Sequence, residues 1–301
     1  TERGVPNMLR IGATLSVVPG ATDTAERLRR AVEVHRPSIL VLADDLMNDS
    51  PLAREAAHLH AEGMRIRTLL GFYEDWFRLV PLSELADVSL LFDIGEVHSP
   101  VYLRVNRLLD VVAGLTLGLA FIVAVPFVAI GNLLGNRGPL IYSQPRVGKL
   151  GEEFRIHKLR TMVPLRNAGD QAEETTKTPW TEKDDPRVTP FGKVLRKLHI
   201  DELPQAANIL RGDLSLVGPR PEQPSYVAEL SAIIPCYDPR HLVQPGLTGW
   251  AQINLGYTSD SQGAREKLQY EFYYLRNQSL PFDLRIVILT LRSLVALRKA
   301  R

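Results

Sequence analysis

Residues 111–134 read VVAGLTLGLAFIVAVPFVAIGNLL and contain no charged side chain. A helix needs roughly 20 such residues to cross the hydrocarbon core of a bilayer. The stretch therefore predicts a membrane-inserted helix over residues 108–134. The alternative is a helix buried in a soluble core, although core helices rarely stay this apolar for this long. Its position in the middle of the chain excludes a cleaved signal peptide.

The proline within this segment and its charged flanks bear on how it enters the membrane. Pro126 removes a backbone donor and clashes with the preceding turn, so we expect the helix to kink or break there. Arg104 and Arg107 precede the segment, and Arg137 and Arg146 follow it. Because both flanks are basic, the positive-inside rule favours neither orientation of a crossing helix. We predict a re-entrant segment that returns to the side from which it entered.

Length and composition limit the classes of protein to consider. The chain has 301 residues, which is long for one domain, so we expect two units. Its 36 Lys and Arg against 34 Asp and Glu give a net charge of +2, which argues against binding nucleic acid through bulk charge. The single cysteine, Cys236, excludes an intramolecular disulfide and a four-cysteine zinc ribbon.

The region before the apolar segment, residues 1–96, predicts a small Rossmann-like α/β unit with a parallel sheet, because strand-like and helix-like stretches alternate. No G-x-G-x-x-G follows any strand, so we expect no dinucleotide site and a role in assembly or regulation. The chain starts abruptly with Thr1, and we expect upstream sequence to be missing. The predicted elements are strand 9–18, helix 24–35 begun by Asp23 or Thr24, strand 38–43, helix 51–63 ended by Gly63, and strand 66–72.

Residues 97–301 form the second predicted unit, and it contains two adjacent acids, Asp201 and Glu202, at the start of a helix that ends near Gly212. Pro204 is tolerated because it falls in the first turn. An acid at this position is often only a cap. The positive end of a helix also keeps carboxylates ionised and attracts phosphate, and adjacent helical side chains diverge by about 100°. One acid could therefore attack a substrate while the other holds a metal.

Two amphipathic helices are predicted to lie at a membrane interface. The first, residues 191–198, carries an apolar stripe with lysines and an arginine beside it. The second runs from residue 280, and the alternative for it is an edge helix packed on a soluble core. Its basic face holds Arg285, Arg292 and Lys299, and its apolar face holds Leu284, Ile288, Leu291 and Val295.

Three irregular stretches complete the pattern. Residues 218–221, Gly-Pro-Arg-Pro, place Arg220 on a rigid turn where it could grip phosphate, or form only a structural turn. Residues 245–250 are either a glycine-rich turn near a ligand or a tight hairpin. The polar stretch 167–185 predicts a surface loop that could act as a lid.

Five motifs in order resemble the bacterial sugar transferase family, the monotopic phosphoglycosyl transferases that load undecaprenyl phosphate. The resemblance covers residues from about 104 to 298, and the stretch EKLQYEFYY at 266–274 is most similar to the exopolysaccharide- and exosortase-associated branch. The α/β unit is similar to the soluble domain of the larger members. The motifs are IHKLRTM at 156–162, DPRVTPFG at 185–192, IDELPQ at 200–205, SLVGPRP at 215–221 and PGLTGWAQ at 245–252.

The resemblance implies a mainly helical monotopic catalytic domain and a reaction. A sugar-1-phosphate passes from a UDP-sugar to undecaprenyl phosphate, with release of UMP. Asp201 is the nucleophile that forms a phosphosugar intermediate, and Glu202 serves Mg²⁺ or proton transfer. Lys158, Arg160 and Arg220 match the phosphate-facing basic positions. Glu271, where relatives carry Asp, is a further substrate-binding residue.

The resemblance also implies surroundings for the protein. We expect the cytoplasmic membrane of a bacterium, with the catalytic domain facing the cytoplasm, where UDP-sugars are found. The partners would be the UDP-sugar, undecaprenyl phosphate and membrane lipid, and fusion of a soluble α/β unit to a membrane enzyme is compatible with a homodimer. A diphosphate approaching a carboxylate meets like-charge repulsion, so a divalent ion and several basic groups are required. Two alternatives are an inactive membrane scaffold for polysaccharide assembly and a nicotinamide-dependent sugar-nucleotide enzyme, which the missing glycine fingerprint disfavours.

Overall fold

A computed structural model describes residues 11, 13–15, 23–43, 50–82, 100–135, 138–163, 185, 187–255 and 261–299, with side chains of the last helix through residue 294. The chain divides into two compact units, residues 1–84 and 85–301. The predicted boundary at residues 96 and 97 lies outside the described residues and stays a prediction. So do most of the predicted strand 9–18 and of the predicted loop 167–185.

The N-terminal unit has the predicted alternation of helices and strands and a parallel strand pair. Leu28, Leu52 and Leu59 form its core. Gly63 ends α2 in the left-handed conformation, with φ 98°, as predicted, whereas the Asp23 side chain makes no capping hydrogen bond. The elements are α1 Thr24–His35, β1 Ile39–Leu42, α2 Ser50–Ala61, β2 Arg65–Thr68 and α3 Leu69–Phe77, and β1 pairs with β2.

The last predicted strand of this unit, 66–72, is wrong over its second half. The strand stops at Thr68, and α3 begins at the next residue. Thr68 is the cause, because its Oγ1 accepts a hydrogen bond from the Gly71 backbone N–H at 3.0 Å and so caps the helix. The apolar run that follows Thr68 forms the start of a helix.

The apolar segment forms one helix, α4 Pro100–Gly135, which begins earlier than the predicted residue 108. The helix continues through Pro126 without interruption, so the predicted break is wrong. A proline inside a helix lacks one hydrogen bond but can be accommodated where packing against neighbours holds both halves. By length and composition this helix could cross a membrane.

One face of α4 packs on the rest of the second unit, and the opposite face is exposed and apolar. Val128 packs in a core cluster with Leu159 and Leu195. Leu119 and Phe127, by contrast, are 65% and 73% exposed. A helix buried in a soluble core would not expose so many large apolar side chains, so the structure favours membrane insertion over that alternative. The other exposed members include Leu108, Val112, Leu115, Ile122, Val123, Ile130, Leu133 and Leu134.

After α4, an antiparallel hairpin leads to the helix pair that carries the two adjacent acids. The hairpin consists of β3 Ile141–Val147 and β4 Glu153–Leu159, joined through a 3-10 turn at Lys149–Gly151. Helix α5 Pro190–Lys197 begins at Thr189, whose Oγ1 accepts from the Gly192 N–H. A 3-10 turn, Ile200–Gln205, then runs into α6 Ala206–Arg211, which Gly212 ends in the left-handed conformation, as predicted.

The two glycine-rich motifs meet in a parallel pair of short strands, β5 Ser215–Val217 and β6 Gly246–Thr248. The tight-hairpin alternative for residues 245–250 is therefore wrong. Only glycine fits at this contact, because a Cβ on Gly246 would lie 2.0 Å from the Gly218 backbone nitrogen. Between the strands lie α7 Pro224–Ile233 and a 3-10 turn, Asp238–Leu242.

Three helices close the second unit: α8 Trp250–Asn254, α9 Ser261–Arg276 and α10 Leu280–Lys299. Phe272 and Leu275 of α9 and Ile286 of α10 are fully buried. The predicted apolar face of α10 is exposed at Leu284 and Leu291, at 61% and 57%. The exposure of this face fits the predicted interfacial helix. The opposite face, which contains the buried Ile286, packs against the rest of the unit. The side chains of Val295 and Lys299 lie outside the described residues.

Candidate active site

The adjacent acids lie in a short 3-10 turn that follows a strained residue. His199 has φ 54°, a left-handed conformation that a histidine rarely adopts. This conformation separates α5 from the turn that carries Asp201 and Glu202. The chain changes direction at His199, between α5 and the turn. The two carboxylates of the turn lie in different surroundings.

Asp201 is 9% exposed, and among the described residues no hydrogen bond or ion pair engages its carboxylate. Burial raises the pKa of this carboxyl, and the negative charge of Glu202 raises it further, while Lys158 and Arg196 act in the opposite direction. A carboxylate with a raised pKa is more basic and so is a stronger nucleophile when ionised. Its lone pairs are available to a substrate.

Glu202 is held by two cations. Its Oε1 lies 2.9 Å from Lys158 Nζ and 3.5 Å from Arg220 Nη2. Burial alone would raise its pKa, but Lys158 and Arg220 outweigh burial and lower it to about 2. Glu202 therefore stays ionised at neutral pH. Four of the six residues predicted for the site, Asp201, Glu202, Lys158 and Arg220, lie together, and their roles stay predictions.

Lys158 lies on β4, and hydrogen bonds from Asn208 hold β4 against α6, the helix that follows the two acids. The fully buried Asn208 donates through Nδ2 to the Arg155 carbonyl at 2.8 Å. Its Oδ1 accepts from the His157 N–H at 3.1 Å. These bonds from the Asn208 side chain hold β4, on either side of residue 156, against α6, which directly follows the turn that carries Glu202.

Arg220 stands on the turn that follows β5. The Gly218 N–H donates to Thr248 O at 2.9 Å, and the Gly246 N–H donates to Pro219 O at 2.8 Å. A third contact comes from Arg240, whose Nη2 donates to the Arg220 carbonyl at 2.9 Å. The turn therefore joins β5 to its neighbours and also positions the Arg220 guanidinium, which faces Glu202.

A second charged group surrounds Glu222, next to this turn. Glu222 is paired with Lys267, and Arg146 Nη1 lies 3.6 Å from Glu222 Oε2. Arg146 also donates to the Pro221 carbonyl at 3.1 Å. Burial acts to raise the pKa of Glu222, but Lys267 and Arg240 lower it to about 2. Acidic and basic side chains therefore alternate next to the Arg220 turn, in the order Arg146, Glu222, Lys267 and Glu271.

Two residues predicted to bind substrate lie in other surroundings. The Arg160 guanidinium donates to the Pro139 carbonyl at 2.7 Å and to Asn132 Oδ1 of α4 at 3.3 Å. Glu271, 3% exposed, forms a bidentate ion pair with Arg240, both distances being 2.8 Å. These contacts are structural ones, and the substrate-binding roles of both residues stay predictions.

The apolar helix α4 contacts the helix that directly follows the acids. Arg107 donates to the Ile209 and Leu210 carbonyls at 2.7 and 2.6 Å, at the end of α6. Asp110, 5% exposed, accepts from Ser215 Oγ at 2.9 Å and from the Leu216 N–H at 2.7 Å. A charge in so apolar a helix is costly unless it is paired in this way. Position of the acids is therefore coupled to α4.

Sequence reasoning missed the roles of Asp110, Asn208, Glu222 and Arg240. Asn208 lies among apolar neighbours in α6. This pattern predicts a helix but does not indicate the hydrogen bonds that Asn208 makes to β4. Glu222 directly follows the Gly-Pro-Arg-Pro turn, so its position was a usable signal. Asp110 and Arg107 are charged residues next to the apolar segment, which suggests contact with protein.

Within the described ranges, no group of three or more His, Cys, Asp or Glu side chains is arranged to hold a metal ion. Mg²⁺ needs only one or two carboxylates together with water and substrate oxygens. Asp201, which has no ion pair among the described residues, and Glu202 supply such a donor set. The residues present therefore fit Mg²⁺ whose remaining ligands come from outside the protein.

Comparison with known proteins identifies what the chain is similar to. A family model described as "Bacterial sugar transferase" matches residues 101–297. The chain is 41% identical over 204 residues to an Aeromonas hydrophila protein named UDP-N-acetylgalactosamine-undecaprenyl-phosphate N-acetylgalactosaminephosphotransferase; the match covers 65% of this chain and 45% of that protein. Two proteins named UDP-glucose:undecaprenyl-phosphate glucose-1-phosphate transferase also match. The one from Caulobacter vibrioides is 40% identical (63% of this chain, 69% of that protein), and the one from Escherichia coli is 36% identical (62% and 40%).

These matches cover part of each protein. The chain spans less than half the length of the Aeromonas and Escherichia coli relatives. All five motifs and the four residues gathered at the acids fall inside the matched range, whereas the N-terminal α/β unit falls outside it.

Proposed function

The chain belongs to the bacterial sugar transferase family, and from that premise we propose that it transfers a sugar-1-phosphate from a UDP-sugar to undecaprenyl phosphate and releases UMP. The relatives' names support the general reaction, because they specify undecaprenyl-phosphate sugar phosphotransferases. In our proposal this step loads a lipid carrier for exopolysaccharide or another glycoconjugate.

One observation carries the proposal: two adjacent carboxylates differ completely in their partners. Glu202 is ion-paired with Lys158 and Arg220. Asp201 has no such partner among the described residues and is only slightly exposed. An unpaired carboxylate beside a basic cluster suits attack on a phosphate, since the cations reduce the repulsion that a dianionic substrate would meet.

The proposed chemistry has two displacements. In the first, an Asp201 carboxylate oxygen attacks the phosphorus attached to the sugar, a new P–O bond forms, and the bond to the bridging oxygen breaks, so that UMP leaves. In the second, a phosphate oxygen of undecaprenyl phosphate attacks the same phosphorus and the bond to Asp201 breaks. Asp201 returns as a carboxylate, and the lipid carries a diphosphate sugar. Lys158 and Arg220 hold the phosphate oxygens in both steps.

We propose Mg²⁺ as the cofactor, with Glu202 and the substrate oxygens as its ligands. When bound, the ion neutralises charge on the leaving phosphate. Glu202 also fixes Lys158 and Arg220 in orientation through Oε1, which is a role that the protein performs by itself.

We further propose that α4 enters the cytoplasmic leaflet of the bacterial inner membrane and does not cross it. Near its start, Tyr102 donates to Asp283 at 2.7 Å, and near its end, Asn132 accepts from Arg160 at 3.3 Å. At 1.5 Å per residue these positions are roughly 45 Å apart along the helix, more than the hydrocarbon thickness of about 30 Å. Both partners belong to the same compact unit. A crossing helix would place them on opposite sides of the bilayer, so contacts at both ends support a helix that lies along the unit.

The test of the proposed function is release of UMP by the full chain in membranes, with a panel of UDP-sugars and added undecaprenyl phosphate. We expect release with at least one UDP-sugar and its loss in Asp201→Asn, because an amide cannot form the acyl phosphate. A matched control is Asp75→Asn, which removes an exposed carboxylate of the N-terminal unit that pairs with Arg67 at 3.2 Å.

The adduct itself gives the decisive result. Wild-type protein incubated with a labelled UDP-sugar and no acceptor should retain label on the peptide that contains Asp201. Label on another residue, or wild-type rates in Asp201→Asn, would refute the proposed chemistry. A protein that releases no UMP with any UDP-sugar would instead be the membrane scaffold considered above.

A further inference from the structure

Behind the turn that carries Arg220 lies a buried ion pair that the proposed reaction does not use directly. Arg240 and Glu271 are 2% and 3% exposed. Arg240 Nε lies 2.8 Å from Glu271 Oε2, and Arg240 Nη2 lies 2.8 Å from Glu271 Oε1. The guanidinium also lies over the ring of Tyr237, 5.2 Å from its centroid. These three contacts hold the Arg240 side chain in one orientation.

An ion pair so deeply buried needs an explanation other than stability. Removing two charges from water costs several kcal/mol per ion, and replacing such a pair by apolar residues of similar size is often neutral or stabilising. Arg240 makes one further contact, and that contact shows which group the pair can position. Arg240 Nη2 also donates to the backbone carbonyl of Arg220 at 2.9 Å.

The position of that carbonyl matters because of its neighbours. Arg220 lies between Pro219 and Pro221, neither of which has an N–H to anchor the turn. The Arg220 side chain is 31% exposed and reaches Glu202 at 3.5 Å, so it faces the candidate active site. Fixing the carbonyl fixes the peptide plane and hence the direction in which the guanidinium leaves the turn.

We propose that Arg240 is a positioning residue, held in place by Glu271, that orients Arg220 toward Glu202 and the phosphates of the nucleotide substrate. This inference rests on the proposed function. It assigns Glu271 an indirect role, through Arg240, in place of contact with the substrate. Lys267 supports the pair from the next turn of α9, since its Nζ lies 3.9 Å from Glu271 Oε1.

The main test replaces both charges at once. In full-length protein, Arg240→Met combined with Glu271→Leu removes the ion pair without leaving a buried unpaired charge, so the fold should survive. We expect kcat/KM for the UDP-sugar to fall about tenfold or more, because a displaced phosphate-binding group costs at least that much. UDP binding, measured by calorimetry, should weaken in parallel while the melting temperature stays near that of the wild type.

A cycle with Arg220→Gln shows whether Arg240 acts through Arg220. If it does, the apolar double replacement should have little further effect on UDP binding once Arg220 is gone. Effects that multiply in the combined variant would overturn the proposal, and so would a folded apolar variant with wild-type kcat/KM. Tyr102→Phe is the control, because it removes a different buried hydrogen bond, to Asp283.

Conservative variants keep the proposal testable if the apolar variant does not fold. Arg240→Lys retains the charge but cannot bridge Glu271 and the Arg220 carbonyl in the same way, so kcat/KM should fall about tenfold. Glu271→Asp keeps a carboxylate and should retain more activity than Glu271→Gln. Equal activity of wild type and Arg240→Lys would overturn the proposal while the proposed function stands. A wild-type protein that neither releases UMP nor binds UDP would overturn both.

Discussion

Asp201 and Glu202 are neighbours in sequence with opposite electrostatic surroundings. Glu202 has its pKa lowered to about 2 despite burial, because Lys158 and Arg220 lie beside it. Burial and the charge of Glu202 raise the pKa of Asp201. Two carboxyl groups whose pKa values are pushed apart typically have different chemical roles. In the proposed reaction the difference separates Asp201, the nucleophile, from Glu202, which orients the two cations.

At the residue scale we predict that Glu202→Gln lowers activity more than it lowers stability. The neutral amide no longer balances Lys158 and Arg220, so metal affinity should fall and the rate should recover partly at excess Mg²⁺. UMP release measured across a Mg²⁺ titration checks this. A variant whose lost activity does not respond to Mg²⁺ would instead indicate proton transfer by Glu202. Asp75→Asn again serves as the control.

The elements that carry the site are short and depend on close backbone contacts. The strands β5 and β6 have three residues each, and their pairing places the Arg220 turn. We predict that Gly246→Ala disrupts folding at a cost of about 3 kcal/mol or more, since its Cβ would lie 2.0 Å from the Gly218 nitrogen. Thermal unfolding in detergent measures the loss.

Gly118→Ala is the matched control for that prediction. This glycine lies inside α4, and an added Cβ would meet only the Ala206 Cβ, at 3.9 Å. Alanine is also the better helix former by about 1 kcal/mol. The control should therefore be as stable as the wild type. Equal stability of the two glycine variants would contradict the close strand contact.

A buried acid joins α4, α9 and α10 and should make stability depend on pH. Asp283 accepts from Tyr102 at 2.7 Å and from Tyr274 at 3.0 Å. Burial raises its pKa from 3.8 to about 6, against the effect of the two hydroxyl groups. Its protonated form is therefore favoured in the folded state. The stabilisation is fully present below pH 4 and is lost as the pH rises through about 6.

We predict that the melting temperature of the wild type falls relative to that of Asp283→Asn between pH 4 and pH 7. The shift of the Asp283 pKa from 3.8 to about 6 corresponds to a change of at most about 3 kcal/mol in the free energy of unfolding. Comparing the two proteins at each pH cancels the titration of all other groups. A difference in melting temperature that does not change with pH would show that Asp283 titrates normally.

At the scale of the whole molecule, the path of α4 decides on which side each part of the protein lies. We predict that both ends of the helix face the cytoplasm. With Cys236 replaced by Ser, single cysteines at Ser99 and Asn136 are exposed to an impermeant thiol reagent in spheroplasts. Both should be protected until the membrane is permeabilised. Labelling of either site in intact spheroplasts would show a different topology.

The role of the N-terminal unit belongs to the same scale. It is an α/β unit without a glycine-rich phosphate loop, and every motif of the family lies beyond residue 140. Regulation or assembly therefore remains our prediction for it.

The sequence by itself determined the features that depend on local pattern. The uncharged stretch 111–134 predicted a long apolar helix, and the alternation before it predicted a parallel α/β unit. Gly212 marked the end of α6, but the sequence did not show that the acids lie in a 3-10 turn before this helix. Motif order was enough to identify the family. It marked Asp201, Glu202, Lys158 and Arg220 as site residues, but it marked Arg160 and Glu271 equally, and only the structure separates those two from the four that lie together. Hydrophobic period, caps and turns act over a few residues, so they can be recognised without a fold.

Tertiary structure decided the features that depend on distant partners. The helix is unbroken at Pro126, and it contacts the rest of its unit on both sides of the proline, through Asp110 and Asn132. Thr68 converts a predicted strand into a helix start. Asn208, Arg240 and Asp110 have their partners 20 to more than 100 residues away, and no local signal encodes which carbonyl or carboxylate they reach. Burial gives such contacts their strength, and burial exists only once the chain has folded.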